Sequence, residues 1–196
     1  MMKFGRSAGG IPGIPGEDSE GRYSARMNDP AATGPERIDD GYPVPLEGRL
    51  RGDGVRVAVV AARFNDLLVD HMLRAAVSAW RQMGGSDDRL TIARVPGSFE
   101  LPVTAKKLAE TGDYAAVVCL GCVIRGETDH YDHVVEQTAR GVQEVGTSTG
   151  VPCIFGVLTC DTLEQAVNRA GTKMGNAGRS AMLTAVEMAD LMTRLC

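Results

Sequence analysis

The pattern of apolar and polar positions changes near residue 55. Beyond that point, short continuous apolar runs alternate with stretches whose apolar residues recur every three or four positions. Residues 55–62 (VRVAVVAA) form the first run, suited to a strand covered on both faces. Val69, Met72, Leu73, Ala76, Val77 and Trp80 then share one face of a helix, which Gly84-Gly85 ends. Residues 90–95 predict a second strand. Leu101, Ala105, Leu108 and Ala109 predict a second helix that stops near Gly112. A third strand spans 115–120 (AAVVCL), and Val135, Thr138, Val142 and Val145 mark the helix after it. Residues 152–157 (PCIFGV) predict a fourth strand. Thr162-x-x-Gln165 then reads as a capping box, with Leu163, Ala166, Val167 and Ala170 inward. A last helix runs from about 178 to 195 and turns Met182, Ala185, Val186 and Ala189 toward the core.

Strands alternating with helices at this spacing imply a parallel sheet with helices on both faces. The expected fold class is α/β: a three-layer α/β/α sandwich of flavodoxin-like type with a four-stranded parallel sheet.

Residues 1–50 do not share this pattern. They hold six of the nine prolines, are rich in glycine and lack apolar periodicity. Such a composition buries too little surface to offset chain entropy, so the expected organisation is a disordered extension over 1–50 and a folded domain over 51–196. Within the extension, residues 42–50 could lie as an extended edge segment along a neighbour, since their prolines forbid a central strand.

The net charge of −4 gives no reason to expect nucleic acid or an anionic membrane as partner. No apolar run approaches the length of a membrane span, and no apolar core follows Lys3 and Arg6 as a secretory signal requires. With five cysteines and no such signal, reduced thiols in a cytoplasmic setting are expected. Cys119 and Cys122 have C-x-x-C spacing, but Cys119 ends a strand-like run and no second pair has zinc spacing. No metal site is expected, and no nucleotide-binding glycine motif or serine elbow is present.

In open parallel sheets, ligands bind beyond the carboxyl ends of the strands. The segments at those ends are Arg63-Phe64-Asn65-Asp66, Pro96-Gly97-Ser98-Phe99-Glu100 and Val123-Ile124 through His130, with Phe155 on the fourth strand. Gly126-Glu127-Thr128 leads into a helix, whose free N–H groups and dipole suit a phosphate, although an ordinary helix cap would look the same. His130 follows in the first turn, where the positive helix end disfavours an imidazolium; it is a candidate general base. Phe64 is either a core aromatic or a stacking platform for a planar ring. Ser98 and Glu100 either cap a helix or bind hydroxyls. Arg169 and Lys173 either complement a helix C-terminus or neutralise a phosphate. Together these residues point to a cofactor-free α/β protein that binds a phosphorylated substrate and moves protons.

Over about 55–195 the chain resembles the lumazine synthase family. The motifs are Ala62-Arg63-Phe64-Asn65, Val95 through Pro102 (VPGSFELP), Gly121 through Asp132 (GCVIRGETDHYD), Ile154 through Thr159 (IFGVLT), and Glu164-Gln165-Ala166 through Arg169-Ala170-Gly171-Thr172-Lys173. Five blocks in order at family spacing are highly specific. The resemblance implies condensation of 5-amino-6-(ribitylamino)pyrimidinedione with 3,4-dihydroxy-2-butanone 4-phosphate, without metal or organic cofactor. It implies that Phe64 stacks on the pyrimidine, and that Val123 and Ile124 bind its edge through their backbones. Asn65, Ser98, Phe99 and Glu100 then surround ring and ribityl chain. Glu127, Thr128 and Arg169 then lie at the phosphate, and His130 moves protons.

The resemblance further implies a homopentamer whose sites form between subunits, with Phe155 and Arg169 supplied by a neighbour. The short 171–176 connection suits pentamers that build an icosahedral shell, with riboflavin synthase as the kind of cargo such a shell holds. One departure stands out: many members have Gly-Asn-Lys-Gly where this chain has Gly175-Asn176-Ala177-Gly178, and Arg179 is the nearest candidate replacement. A binding module that keeps the ligand but loses the chemistry is the alternative this departure raises.

Overall fold

The computed structural model describes residues 42–195. The chain divides into two units, Met1–Pro45 and Leu46–Cys196. The expectation of disorder over 1–41 falls outside the described residues.

The second unit contains β1 (Val57–Ala62), α1 (Asp66–Gln82), β2 (Leu90–Val95), α2 (Leu101–Ala109), β3 (Ala116–Ile124), α3 (His130–Thr149), β4 (Cys153–Cys160), α4 (Leu163–Arg169) and α5 (Ala177–Arg194). Four parallel strands pair in the order β2-β1-β3-β4. This is the α/β, flavodoxin-like sandwich that the apolar pattern implies.

Every residue of β1 is buried, as expected of a central parallel strand covered on both faces. Alternation divides its side chains between two cores. Val57, Val59 and Ala61 pack with Met72, Trp80, Met182 and Val186 of α1 and α5. Ala58, Val60 and Ala62 pack with Leu101, Ala105 and Val142 of α2 and α3. Right-handed crossovers require this arrangement, because the chain steps from β1 outward to β2 and then back past β1 to β3. Fully burying a valine or leucine stabilises by about 1.5–3 kcal/mol, so the two cores, more than helix propensity, set the layer order.

Two strands run longer than their apolar runs suggest. β3 continues through Gly121, Cys122, Val123 and Ile124, and β4 through Cys160, because the two pair in register up to Ile124 opposite Cys160. Hydrogen bonding to a neighbour extends a strand past the point where apolar residues thin out. The cap of α4 also differs from a full capping box. Thr162 accepts from the Gln165 N–H at 3.2 Å, but the Gln165 side chain accepts from Asp161 N–H rather than from Thr162. Leu163 and Val167 are exposed, leaving Ala166 as the buried contact of this short helix.

Residues 46–50 run against α5. The Arg49 N–H donates to Asp190 at 2.9 Å, and Arg194 donates to the Glu47 carbonyl. Among the described residues, no helix is long and apolar enough to cross a membrane.

Candidate active site

The strand order reverses between β1 and β3, and the crevice of such a sheet opens at that switch point. A cleft of about 440 Å³ lies there, on the α2/α3 side. Phe64, Gly97, Ser98, Phe99, Glu100, Cys122, Val123, His130, His133 and Val134 line it.

Each lining segment is held by main-chain geometry. Arg63 and Phe64 N–H donate to the carbonyls of Val95 and Pro96, so the chain leaving β1 stays beside the chain leaving β2. Phe64 is 70% exposed, so it is no core aromatic of this chain, and its ring lines the cleft. Asn65 takes the left-handed conformation at φ 59° and donates its side-chain amide to the Cys122 carbonyl at 2.9 Å.

The loop after β2 is closed by Glu100, whose Oε2 accepts from the Gly97 N–H at 2.8 Å. Glu100 precedes α2 without bonding that helix's own N–H groups. Ser98 is buried, and its carbonyl accepts from Thr138 of α3 at 3.3 Å. Its hydroxyl occupies the space beside Gly121, where a Cβ would lie 2.5 Å from Ser98 Oγ. Glycine at 121 therefore makes room for the Ser98 hydroxyl at the floor of the cleft.

His130 is the first residue of α3, and Asp129 before it makes no side-chain cap. His133, one turn on, lines the same cleft. From sequence it reads as a surface or packing residue. Its spacing of three from His130 on a helix was the available signal that the two share a face. Gly97 belongs to the Pro96–Glu100 segment expected here, while Cys122 and Val134 are further lining residues that sequence reasoning missed. Cys122 is nearly inaccessible, and burial pushes its thiol up to about 12, so it is neutral at ordinary pH. Cys119 and Cys122 belong to opposite cores, because three residues along a strand reverses the face; they form no redox or metal pair.

The cleft of one chain thus joins Phe64, Ser98, Phe99, Glu100, Val123 and His130 of the expected residues. Asn65 lies behind it, bonded to β3. Ile124 turns to the opposite core. Glu127 and Thr128 are exposed in the loop that enters α3 and do not line the cleft. Phe155, Arg169 and Lys173 also lie off it. Phe155 sits on the edge strand β4 opposite Cys119, and is 40% exposed. Arg169 ends α4 and donates to the Gln165 carbonyl of its own helix, at 3.5 Å. Lys173 is exposed in the turn between α4 and α5. Arg179, the nearest candidate to replace a lysine at position 177, lies off this cleft and donates its guanidinium to Gln82 at the end of α1, at 2.7 Å.

A wider depression, about 670 Å³, lies on the outer face of α1 beside Ile92 of the edge strand β2. It has no histidine or carboxylate in its lining, and the cleft at the switch point is the better candidate for proton-transfer chemistry. Among the described residues, no group of three or more His, Cys, Asp and Glu is placed to hold a metal ion.

A family model described as 6,7-dimethyl-8-ribityllumazine synthase matches residues 54–193. The chain belongs to this family. It is accordingly a transferase-type enzyme family member of riboflavin synthesis, acting on small-molecule substrates. The matched span begins just before β1 and ends within the last turn of α5, so it covers every strand and helix of the sandwich.

Proposed function

We propose that the chain condenses 5-amino-6-(ribitylamino)pyrimidinedione with 3,4-dihydroxy-2-butanone 4-phosphate, forming 6,7-dimethyl-8-ribityllumazine and releasing phosphate and water. The observation that carries this reading is the cleft in which the exposed ring of Phe64, the buried Ser98 and the helix-starting His130 face one space. The pyrimidine stacks on Phe64, with the Val123 and Ile124 backbone at its edge. Asn65, Ser98, Phe99 and Glu100 surround the ring and its ribityl chain. The phosphate sits at the N–H groups of 126–128, where the dipole of α3 favours an anion. The exposed Glu127 side chain turns to solvent, leaving its N–H for the anion.

Schiff-base formation, loss of phosphate and ring closure demand repeated proton transfers and little electronic assistance. Holding two reactants together can supply most of the acceleration, and His130 serves as the acid/base group without metal or organic cofactor. Phe155 and Arg169 are proposed to reach a neighbour's cleft in a homopentamer, which agrees with their absence from the cleft of their own chain. An icosahedral shell of such pentamers, with riboflavin synthase as cargo, and a cytoplasmic location complete the proposal. Residues 1–50 are proposed as an extension outside the catalytic domain.

The test mixes the purified chain with both substrates and follows lumazine absorbance against the uncatalysed background. Acceleration supports the proposal, and its absence in folded protein rejects it. Ala177, at a position where many family members have lysine, favours one second reading: a module that binds lumazine or riboflavin without turnover. Tight ligand binding in inactive protein would select that reading. Scattering or electron microscopy showing single pentamers would reject the shell.

A further inference from the structure

The guanidinium of Arg125 is shared between two carboxylates at the head of the loop that enters α3. Its Nη1 and Nη2 donate to the two oxygens of Asp132 at 3.1 and 3.0 Å, and its Nε donates to Asp161 at 3.0 Å. Its Cζ stands 4.1 Å from the centroid of the Tyr131 ring. The Arg125 main-chain N–H also donates to the Cys160 carbonyl at 2.8 Å, continuing the β3–β4 ladder. One residue therefore joins the end of β3, the end of β4 and the first turn of α3.

That first turn carries His130, and its other two residues are the ones Arg125 holds. Asp132 stands at the third helical position, from which an acidic side chain ordinarily reaches back to the cap. Here it is turned outward to Arg125. Asp129, at the cap position, makes no side-chain bond to the helix N–H groups. The start of α3 thus has no side-chain cap from Asp129, and Arg125 links this turn to the ends of β3 and β4.

Arg125 is poorly placed to bind the substrate phosphate. Its forked donors are given to two carboxylates, and one cation between two anions leaves a net negative cluster. Exposed ion pairs of this kind contribute little to stability, so the consequence of the arrangement is geometric. Arginine suits it because a planar fork fixes the direction of a carboxylate, which a lysine ammonium does not.

We propose that Arg125 is a positioning residue for His130: gripping Asp132 and stacking on Tyr131, it fixes the first turn of α3 so that the imidazole faces the cleft. The role in turnover rests on the function proposed above. The test uses the full chain with Arg125→Gln, Arg125→Lys, Asp132→Asn and the Arg125→Gln/Asp132→Asn double variant.

In Arg125→Gln, kcat should fall about ten- to a hundredfold, as a small misplacement of a catalytic group does, with both KM values and the melting temperature little changed. Arg125→Lys should recover only a small part of the loss. The double variant should be no slower than Arg125→Gln, because both changes break one contact. Unchanged kcat in Arg125→Gln overturns the proposal. So does a raised KM for the phosphate-bearing substrate with kcat retained, which would make Arg125 a direct ligand.

A second readout does not need turnover: the side-chain nitrogen spectrum of 15N-histidine-labelled protein, with His130→Asn to assign the signal. Displaced or broadened His130 signals in Arg125→Gln, with His71 unmoved, support the clamp, and an unmoved His130 signal overturns it. Should the parent chain make no lumazine, the proposed function fails, and this spectrum still decides the clamp. Asp132→Asn provides the same comparison if Arg125→Gln does not fold.

Discussion

The side-chain amide of Asn65 donates to the carbonyl of Cys122 across 2.9 Å, tying the residue before α1 to the outer end of β3. Among the described residues, Asn65 is the non-glycine residue with positive φ. The bond spans the switch point at which the cleft opens, and a residue that tolerates the left-handed region is needed to make it. Asn65→Ala keeps the strained backbone and loses the bond, and should destabilise by about 1–3 kcal/mol. Asn65→Gly relieves the strain and should lose less. Urea denaturation should rank the parent above Gly and Gly above Ala; an alanine variant as stable as the parent would show that this contact does not anchor the cleft.

Gly121 and Ser98 should behave as a coupled pair. Adding a Cβ at 121 brings it within 2.5 Å of the buried Ser98 hydroxyl, so Gly121→Ala should cost about 1–3 kcal/mol through overpacking. Ser98→Ala removes the clashing oxygen. The double variant should therefore be more stable than Gly121→Ala alone, while its KM for the ribityl substrate stays high. Additive losses in thermal melts would contradict the steric account.

Replacing His130 by alanine should slow turnover by about 10²–10⁴ and leave substrate KM values near those of the parent. Steady-state kinetics on both substrates decide this. An unchanged kcat would remove His130 from the mechanism and turn attention to His133, which lines the same cleft.

Cys122 predicts how stability falls in alkali. Burial first, and the neighbouring Cys160 second, push its thiol from an ordinary 9.0 up to about 12. The raised folded value means that the unfolded chain releases the proton first. The associated stability is fully present below pH 9.0 and is lost as pH rises toward about 12, at up to about 1.4 kcal/mol per pH unit. Denaturation curves between those pH values should be flatter for Cys122→Ala than for the parent. Equal slopes would mean that the buried thiol ionises in the folded protein.

Ala177 begins α5, and the side chain of Asn176 caps that helix through the N–H groups of Gly178 and Arg179. The cap does not depend on residue 177, but Ala177 is partly buried against the α1/α5 core, so Ala177→Lys should fold with a modest loss of stability that thermal melts would show. It should lower KM for the phosphate-bearing substrate if a cation at this place assists the anion. An unchanged KM would show that the chain binds the phosphate fully without it.

Much of this architecture is legible in the chain. The alternation of apolar runs with three-four spaced helical faces is enough for the layer order, and the second strand has the residue bounds that the pattern predicts, while the second helix ends at Ala109, short of Gly112. Phe64, Ser98 and His130 are legible as cleft residues because ligand-binding loops follow strands in a parallel sheet, and those residues follow strands. The missed lengths of β3 and β4 have one cause: the pairing partner is remote in sequence and invisible to a local apolar window. His133 reads from sequence as a surface or packing residue because the cleft it lines is formed by elements far away in the chain.

By itself, the sequence determined most of the buried strand and helix faces, Leu163 and Val167 excepted, because local periodicity and burial are two descriptions of one side-chain pattern. Its ordered motifs also determined the family. Only the tertiary structure decided that Arg125 engages Asp132 and Asp161, that Asn65 bonds to β3, and that Gly121 makes room for Ser98. These depend on the distance between residues far apart in the chain, which is set by how the two cores close on the sheet.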